Sequence, residues 1–155
     1  MKDIFIDSNI AKSFSRPADE AYKNLIRWLL IHKHDVDNDA YLLFSQKLEV
    51  EYTGSAQHAK SFTSMPYIIE ILRRQERLKE FSNNEIEDFL TTFVTKKVKR
   101  RLRDIKKDWN HLPLVMLSDR KMAITIDDDF IYNLTHFPGF TVIAAKRPEE
   151  LPYKD

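Results

Sequence analysis

The sequence predicts an α/β protein with a mostly parallel central sheet of about four to five strands flanked by helices. Four short apolar runs have the composition of buried strands, and amphipathic segments with helical spacing separate them. Strands that are joined through helices require crossover connections, which make the strands parallel. The chain has 155 residues and two glycines, so we expect one domain, residues 1–155, without a flexible linker.

The first half of the chain is predicted to hold two strands and three helices. β-Branched and aromatic residues fill the first strand, and apolar residues recur every three or four positions in the longest helix. In order, the predicted elements are a strand at Asp3–Asp7, a short helix capped by Ser8 or Asn9, a helix at Asp19–Ile31, a strand at Tyr41–Phe44, and a helix capped by Ser45 that Gly54 ends or bends.

The second half is predicted to alternate helices with two further strands. Two prolines help to set the helix boundaries, because proline is tolerated in the first turn, where backbone N–H groups lack helical partners. In order, the predicted elements are a helix at Tyr67–Phe81 with Pro66 in its first turn, a helix from Glu85 opened by Asn84, a helix from Trp109 or Asn110 through Met116 that contains Pro113, a strand at Ala123–Ile126, a helix from Asp127 through Leu134, and a strand at Phe140–Ala144.

Composition excludes several classes of protein. The chain has no cysteine, which rules out disulfides, thiol catalysis and thiolate metal sites and fits a reducing cytoplasm. No apolar run approaches the roughly 20 residues that span a bilayer, so we expect no membrane association. The net charge of +1 does not indicate a partner. Carboxylates are the abundant hard ligands, so any bound metal is expected to be Mg²⁺ or Mn²⁺ rather than Zn²⁺.

Acidic residues follow or face the ends of the predicted strands. Asp7 and Asp127 come directly after strands, Glu51 lies in the helix after the second strand, and Asp108 precedes a helix that leads into a strand. Ligands of parallel sheets bind at the carboxyl ends of the strands, so these side chains are candidates for a shared site. Four carboxylates would hold a divalent cation that activates water against a phosphate. Each Asp alone is also a common helix cap, and Glu51 alone is a common solvated helix residue.

Four segments, in order, resemble the motifs of PIN domains, a family of metal-dependent nucleases. Ile4–Asn9 is an apolar strand followed by Asp, Ser and Asn, and Ser45–Tyr52 begins with Ser and ends in Glu before an aromatic residue. Asp108–His111 has the Asp-x-x-His form of the third motif, and Ala123–Phe130 is a strand followed by Thr-x-Asp, Asp and an apolar residue. The ending Pro148–Leu151, with Pro-Glu-Glu, is also similar, so the resemblance spans almost the whole chain.

The resemblance implies a three-layer sandwich, a Mg²⁺ or Mn²⁺ site, and hydrolysis of RNA phosphodiesters to products with 5′-phosphate and 3′-hydroxyl ends. It also implies the roles of individual residues. Carried over, the metal-site and catalytic acids are Asp7, Glu51, Asp108 and Asp127, with Asp129 as an auxiliary ligand. Asn9 would hold the Asp7 carboxylate or contact the substrate. Both a toxin of a toxin–antitoxin pair and an RNA-processing or defence nuclease are consistent with the resemblance, and a homodimer stays open.

The chain departs from the family pattern at three places. Leu112–Leu117 is bulky where the family has small residues, which predicts different packing of that helix. Ile126 stands where glycine is common, and its side chain could crowd a substrate path. Glu49 competes with Glu51 for the second acidic role, and Glu51 is preferred because it directly precedes Tyr52.

A basic segment, Lys96–Lys107, leads directly into Asp108. It contains eight basic residues and one acid. Clustered cations bind nucleic acid backbones, so the segment is predicted to contact the phosphates on either side of the scissile one. The alternatives are contact with an antitoxin or another protein, and a merely solvated face. The predicted substrate-binding residues are Asn9, Lys99, Arg100, Arg101, Arg103 and His111, of which His111 fits a structural or positioning role better.

Two rival functions remain at this stage. The first is a catalytically inactive PIN-like module that binds RNA or protein, with its acids serving as helix caps. The second is another Asp-based α/β fold. A haloacid-dehalogenase-like phosphatase would need an Asp where Asn9 stands, and the acidic pair and lysine of a receiver domain are not clearly present. The sequence therefore favours a metal-dependent endoribonuclease.

Overall fold

The fold is built on a five-stranded parallel sheet. The computed structural model describes residues 1–17, 19–55 and 61–155. Within them, the strands are β1 (Lys2–Ile6), β2 (Ala40–Phe44), β3 (Leu78–Glu80), β4 (Met122–Ile124) and β5 (Ile143–Ala145). Their order is β3-β2-β1-β4-β5, and every pairing is parallel. The predicted α/β class with a parallel sheet of four to five strands is therefore confirmed.

Eight helices of the described residues flank the sheet, which is consistent with a three-layer sandwich. In chain order they are α1 (Ser8–Ala11), α2 (Glu20–Leu30), α3 (Gln46–Ser55), α4 (Met65–Arg74), α5 (Asn83–Phe93), α6 (Lys96–Arg101), α7 (Leu112–Leu117) and α8 (Asp128–His136). Two short 3-10 helices lie at Ile105–Lys107 and Pro148–Glu150. In the described part of the chain, no helix has the length and apolar character needed to cross a membrane.

The two central strands supply the middle of the core. β2 is buried along its whole length, and β1 is buried from Asp3 onward. Strands with helices on both faces lack a solvent side, which explains why their sequences are continuous apolar runs rather than alternating ones. Asp3, fully buried at the amino edge, accepts hydrogen bonds from the Asp119 and Arg120 backbone and from Lys79 Nζ. The amino edge of the sheet is thereby tied down by structural contacts.

The predicted helix Tyr67–Phe81 is wrong in its second half. The helix ends at Arg74, Glu76 adopts a left-handed φ of 56°, and Leu78–Glu80 forms β3 beside β2. The side chain of Arg77 is buried and donates to the carbonyls of Leu29 and Ala40 at 2.6 and 3.2 Å, which fixes the turn. The strand has three residues and no apolar run, so its pairing depends on these distant contacts and not on a local pattern.

Other element boundaries also differ from the predictions. The strand predicted at Ala123–Ile126 is Met122–Ile124. The last strand is Ile143–Ala145, because Phe140 instead packs against the rings of Phe89, Phe93 and Phe137. α7 begins at Leu112 after a turn, although Pro113 lies in its first turn as expected. α5 is capped by Ser82, which exchanges hydrogen bonds with Glu85, rather than opened by Asn84.

The strand order places a crevice at the carboxyl ends of β1 and β4. The chain proceeds outward from β1 through β2 to β3 and then crosses to β4 on the other side of β1. In open parallel sheets, ligands bind where the strand order reverses in this way. Asp7 follows β1 and Asp127 comes shortly after β4, so both acids lie at this reversal.

Candidate active site

Asp7 lies beside the end of β4 because its backbone continues the pairing of β1 with β4. Its N–H donates to the Ile124 carbonyl at 3.0 Å. The Thr125 hydroxyl donates to Asp7 Oδ2 at 2.6 Å, and Asn9 Nδ2 donates to the same oxygen at 3.3 Å. Asn9 also accepts from the Ile126 N–H at 3.4 Å, so it links the two strand ends. In this geometry Asn9 holds the Asp7 carboxylate, which was the first of its two predicted roles.

The Asp7 side chain does not serve as a helix cap. Asp7 occupies the N-cap position of α1, yet its carboxylate makes no capping hydrogen bond. Burial raises the pKa of this carboxyl above its usual value, although the Thr125 hydrogen bond and the charge of His111 act in the opposite direction. The fold therefore keeps a partly desolvated carboxylate at the sheet edge without giving it a role in a helix.

Asp108 is a second acid without a capping role. It is 4% exposed, and its Oδ2 accepts a hydrogen bond from Asn133 Nδ2 at 2.6 Å. Burial raises its pKa to about 6, with further contributions from the negative charges of Asp127 and Asp7. Those contributions mean that Asp7, Asp108 and Asp127 lie close enough for their charges to interact.

Glu51 joins this group through Tyr52 and His111. The buried Tyr52 hydroxyl donates to the Ile6 carbonyl, which anchors α3 beside the end of β1. Glu51 Oε2 contacts His111 Nε2, and the charges of both residues act on the pKa of Asp7. His111 itself is buried and packs against the Phe5 ring with centroids 5.7 Å apart. Its position favours holding Glu51 over contacting a substrate directly.

Glu49 lies on another side of the same helix. Its carboxylate pairs with Arg73 Nη2 of α4 at 3.2 Å. Two positions along an α-helix differ by about 200° in direction, so Glu49 and Glu51 cannot both face the strand ends. The geometry therefore supports Glu51 as the second acid.

Asp127 and Asp129 lie at the start of α8. Asp127 Oδ1 accepts from the N–H groups of Asp129 and Phe130 at 3.0 and 3.2 Å, so this acid does cap a helix. The cap occupies Oδ1, which leaves Oδ2 to face other groups. Asp129 is 46% exposed and lies 3.9 Å from Arg103 Nη1. Of the predicted acids, Asp127 is the one whose side chain caps a helix in the described structure.

The donor chemistry of these residues fits a hard divalent cation. Among the described residues, no group of three or more His, Asp or Glu side chains stands in ligand geometry. Burial raises the pKa of Asp7 and of Asp108, and the negative charges of neighbouring acids add to both shifts, so a cation between these carboxylates would relieve an unfavourable concentration of charge. Carboxylate oxygens are the ligands that Mg²⁺ and Mn²⁺ prefer.

The basic segment reaches the same region. α6 has no buried residue, and Lys99 Nζ lies 4.8 Å from the centroid of the Trp109 ring. Arg103 is held at its backbone, since its N–H donates to Asn133 Oδ1 at 2.7 Å and its carbonyl accepts from Asn133 Nδ2 at 2.5 Å. Asn133 thus ties the basic segment to Asp108.

Asn133 was missed by sequence reasoning. It is fully buried on the apolar face of α8, between Phe130 and Leu134. A polar residue at a position where the helical pattern requires an apolar one was the available signal, because a buried amide needs partners. Its partners, Arg103 and Asp108, are 30 and 25 positions away along the chain and could not be named from local spacing.

We expect Asp108→Asn to raise the free energy of unfolding of the metal-free protein at pH 7.5 by about 1 to 2 kcal/mol. This is less than the full free energy that corresponds to the raised pKa of Asp108, because solvent screens part of the unfavourable charge. The folded protein keeps the Asp108 proton up to about pH 6, whereas the unfolded chain releases it near 3.8. The folded state therefore binds more protons in that window, and stability falls as pH rises through it. The gain should shrink toward pH 4.5.

Urea unfolding in EDTA at both pH values measures this effect. Asp104→Asn is the matched control, since Asp104 lies on the same segment but is 53% exposed. An equal gain at both pH values would contradict a buried, protonated Asp108.

In comparisons of this chain with protein-family models, curated proteins and solved structures, no match was found. The functional interpretation accordingly depends on the geometry of the strand-end residues and on the chemistry of their side chains.

Proposed function

We propose that this protein is a Mg²⁺- or Mn²⁺-dependent endoribonuclease of the PIN type. The observation that carries the proposal is the placement of Asp7 and Asp127 just beyond the ends of β1 and β4, with the buried Asp108 held by Asn133 of the helix that Asp127 caps. Two of these acids make no helix cap, and burial raises the pKa of both. Carboxylates kept in such surroundings without a structural role are typical of functional sites.

The acids would hold the cation, and neighbouring residues would hold the acids. Asp7, Asp108, Asp127 and Glu51 are the proposed ligands, with Asp129 as an auxiliary one. A bound divalent cation lowers the pKa of water and neutralises charge that develops on a phosphate. Three hydrogen-bonding side chains fix the acids in place. Thr125 holds Asp7, Asn133 holds Asp108, and His111 holds Glu51.

The basic segment gives the proposal its substrate class. Asn133 links the backbone of Arg103 to Asp108, and α6 directly precedes Arg103 in the chain, so a polyanion bound along these cations would come close to the acidic site. Arg100 and Arg101 make no ion pair within the described part of the chain, so their charges are available to phosphates. RNA is favoured among polyanions by the resemblance to PIN domains.

The purified protein is expected to cut RNA in Mn²⁺ or Mg²⁺ and to stop when EDTA is added. The resemblance to PIN domains implies products with 5′-phosphate and 3′-hydroxyl ends. Attack by water, and not by the 2′-hydroxyl of the substrate, would form no cyclic phosphate. End-labelled RNA resolved on denaturing gels measures the rate, and a 5′-phosphate-dependent exonuclease identifies the ends. Cleavage that persists in EDTA, or cyclic phosphate products, would contradict the proposal.

A catalytically inactive RNA- or protein-binding module is the second candidate. It is favoured by the structural contacts of two of the acids, since Asp127 caps α8 and Glu51 pairs with His111. Such a module would bind RNA or a partner protein such as an antitoxin without cutting RNA in either metal. The same assay therefore distinguishes the two candidates.

A further inference from the structure

Three side chains form a stack on the surface beside the candidate active site. The Arg103 guanidinium lies over the Tyr132 ring, with Cζ 3.9 Å from the ring centroid. Tyr132 in turn stacks with His136 one helical turn later, with centroids 3.9 Å apart and planes inclined by 15°. We call these residues the Arg103–Tyr132–His136 stack.

The stack is fixed relative to the proposed metal ligands. Asn133, which lies next to Tyr132 on α8, bonds both the N–H and the carbonyl of Arg103 and also donates to Asp108 Oδ2. Arg103 Nη1 lies 3.9 Å from Asp129 Oδ1, and Asp129 lies in the first turn of the helix that carries the ring. One amide side chain therefore couples the stack to the acid at the centre of the site.

Arg103 differs from the other cations of the basic segment. Its side chain is 56% exposed although one face of the guanidinium covers a ring, so the outer face and part of the edge are open to solvent. Asp129 partly neutralises its charge. A planar group with a compensated charge is suited to stacking on a flat apolar partner, whereas a phosphate favours an uncompensated cation.

We propose that the outer face of the Arg103 guanidinium, at the end of the Arg103–Tyr132–His136 stack, binds one unpaired base of an RNA substrate next to the scissile phosphate. The inference deepens the proposed ribonuclease function and rests on it. Bases are available for stacking on a guanidinium or aromatic plane in single strands, loops and bulges, whereas in a duplex they stack on one another. The stack would give the enzyme a preference for single-stranded substrate.

The test compares single-stranded with duplex RNA in variants of Arg103. Arg103→Lys keeps the charge and removes the plane. We expect it to weaken the affinity for a 12-nucleotide single strand about 10-fold and to leave a duplex of the same length unchanged. The dependence of affinity on salt should not change, because the number of cations is the same. Fluorescence anisotropy in Mg²⁺ measures binding, with Asp7→Asn in every sample to prevent cleavage.

Two further variants sharpen the result. Arg27→Lys is the control, since Arg27 also pairs with a carboxylate, that of Glu20, but no ring of the described residues lies beneath it. Arg27 is near the end of α2, toward the amino edge of the sheet. It should bind both RNAs normally. Tyr132→Leu should weaken single-strand binding and combine with Arg103→Lys less than additively, because both changes disrupt one stack.

An Arg103→Lys variant with normal single-strand affinity, or with equal losses on both RNAs, would overturn the stacking proposal. If Arg103→Lys gives either of these results and the protein with Asp7 intact still cuts RNA, the proposed nuclease function is retained and the base-stacking site at Arg103 is rejected. If the unaltered protein neither binds nor cuts RNA, both proposals fail together.

Discussion

Asp7→Asn is expected to lower metal-dependent RNA cleavage by about 100-fold or more, since a bound cation contributes several kcal/mol to stabilising the transition state. The substitution removes one negative charge and changes the side-chain volume little. Thr125 and Asn9 can still bond the remaining carbonyl oxygen, and α1 does not depend on Asp7 for a side-chain cap. The fold should therefore persist while cation affinity is lost.

Cleavage rates, cation titration by calorimetry and circular dichroism test the three parts of this expectation. Asp37→Asn is the matched control, because Asp37 is an exposed acid in the loop before β2, at the amino edge of the sheet. It removes the same charge far from the strand ends and should be neutral. Full activity in a verified Asp7→Asn sample would remove the basis for the proposed metal mechanism.

The two central strands and the acids that directly follow strands were predictable because both depend on local sequence. Buried parallel strands are continuous apolar runs, and β1 and β2 have that pattern. A residue directly after such a strand must lie at its carboxyl end, so Asp7 was located without knowledge of the tertiary structure. The choice of Glu51 over Glu49 could also be made from the sequence. Glu51 directly precedes Tyr52, and the burial of Tyr52 fixes the direction in which Glu51 leaves the helix.

The features that were not predictable depend on contacts between distant residues. β3 is held by β2 and by the turn that Arg77 fixes, and its own three residues carry no strand pattern. The basic segment was predicted as a set of phosphate-binding cations of one kind. The structure instead separates Arg103, which contacts both the Tyr132 ring and Asp129, from Arg100 and Arg101, which make no ion pair among the described residues. Side-chain partners of this kind arise from packing and have no signature in spacing.

The division within the basic segment determines how its phosphate contacts should be tested. Arg100 and Arg101 end α6, where they are exposed and make no ion pair among the described residues. Replacing both with glutamine is expected to lower the slope of log affinity against log salt by roughly 1.4 for single-stranded RNA, and to weaken binding about 25-fold in 0.1 M salt. The loss arises because two fewer counterions are released on binding.

The loss should be similar for unrelated RNA sequences, because phosphates carry no base information. Cation affinity measured by calorimetry should be unchanged, since neither arginine contacts an acid of the site. The control is Arg27→Gln with Lys33→Gln, which removes two exposed cations, one on α2 and one in the loop before β2, away from the basic segment. If affinity and slope stay normal while binding to a partner protein is lost, α6 is a protein-binding surface. The path of the RNA to Asp108 must then lie along other residues.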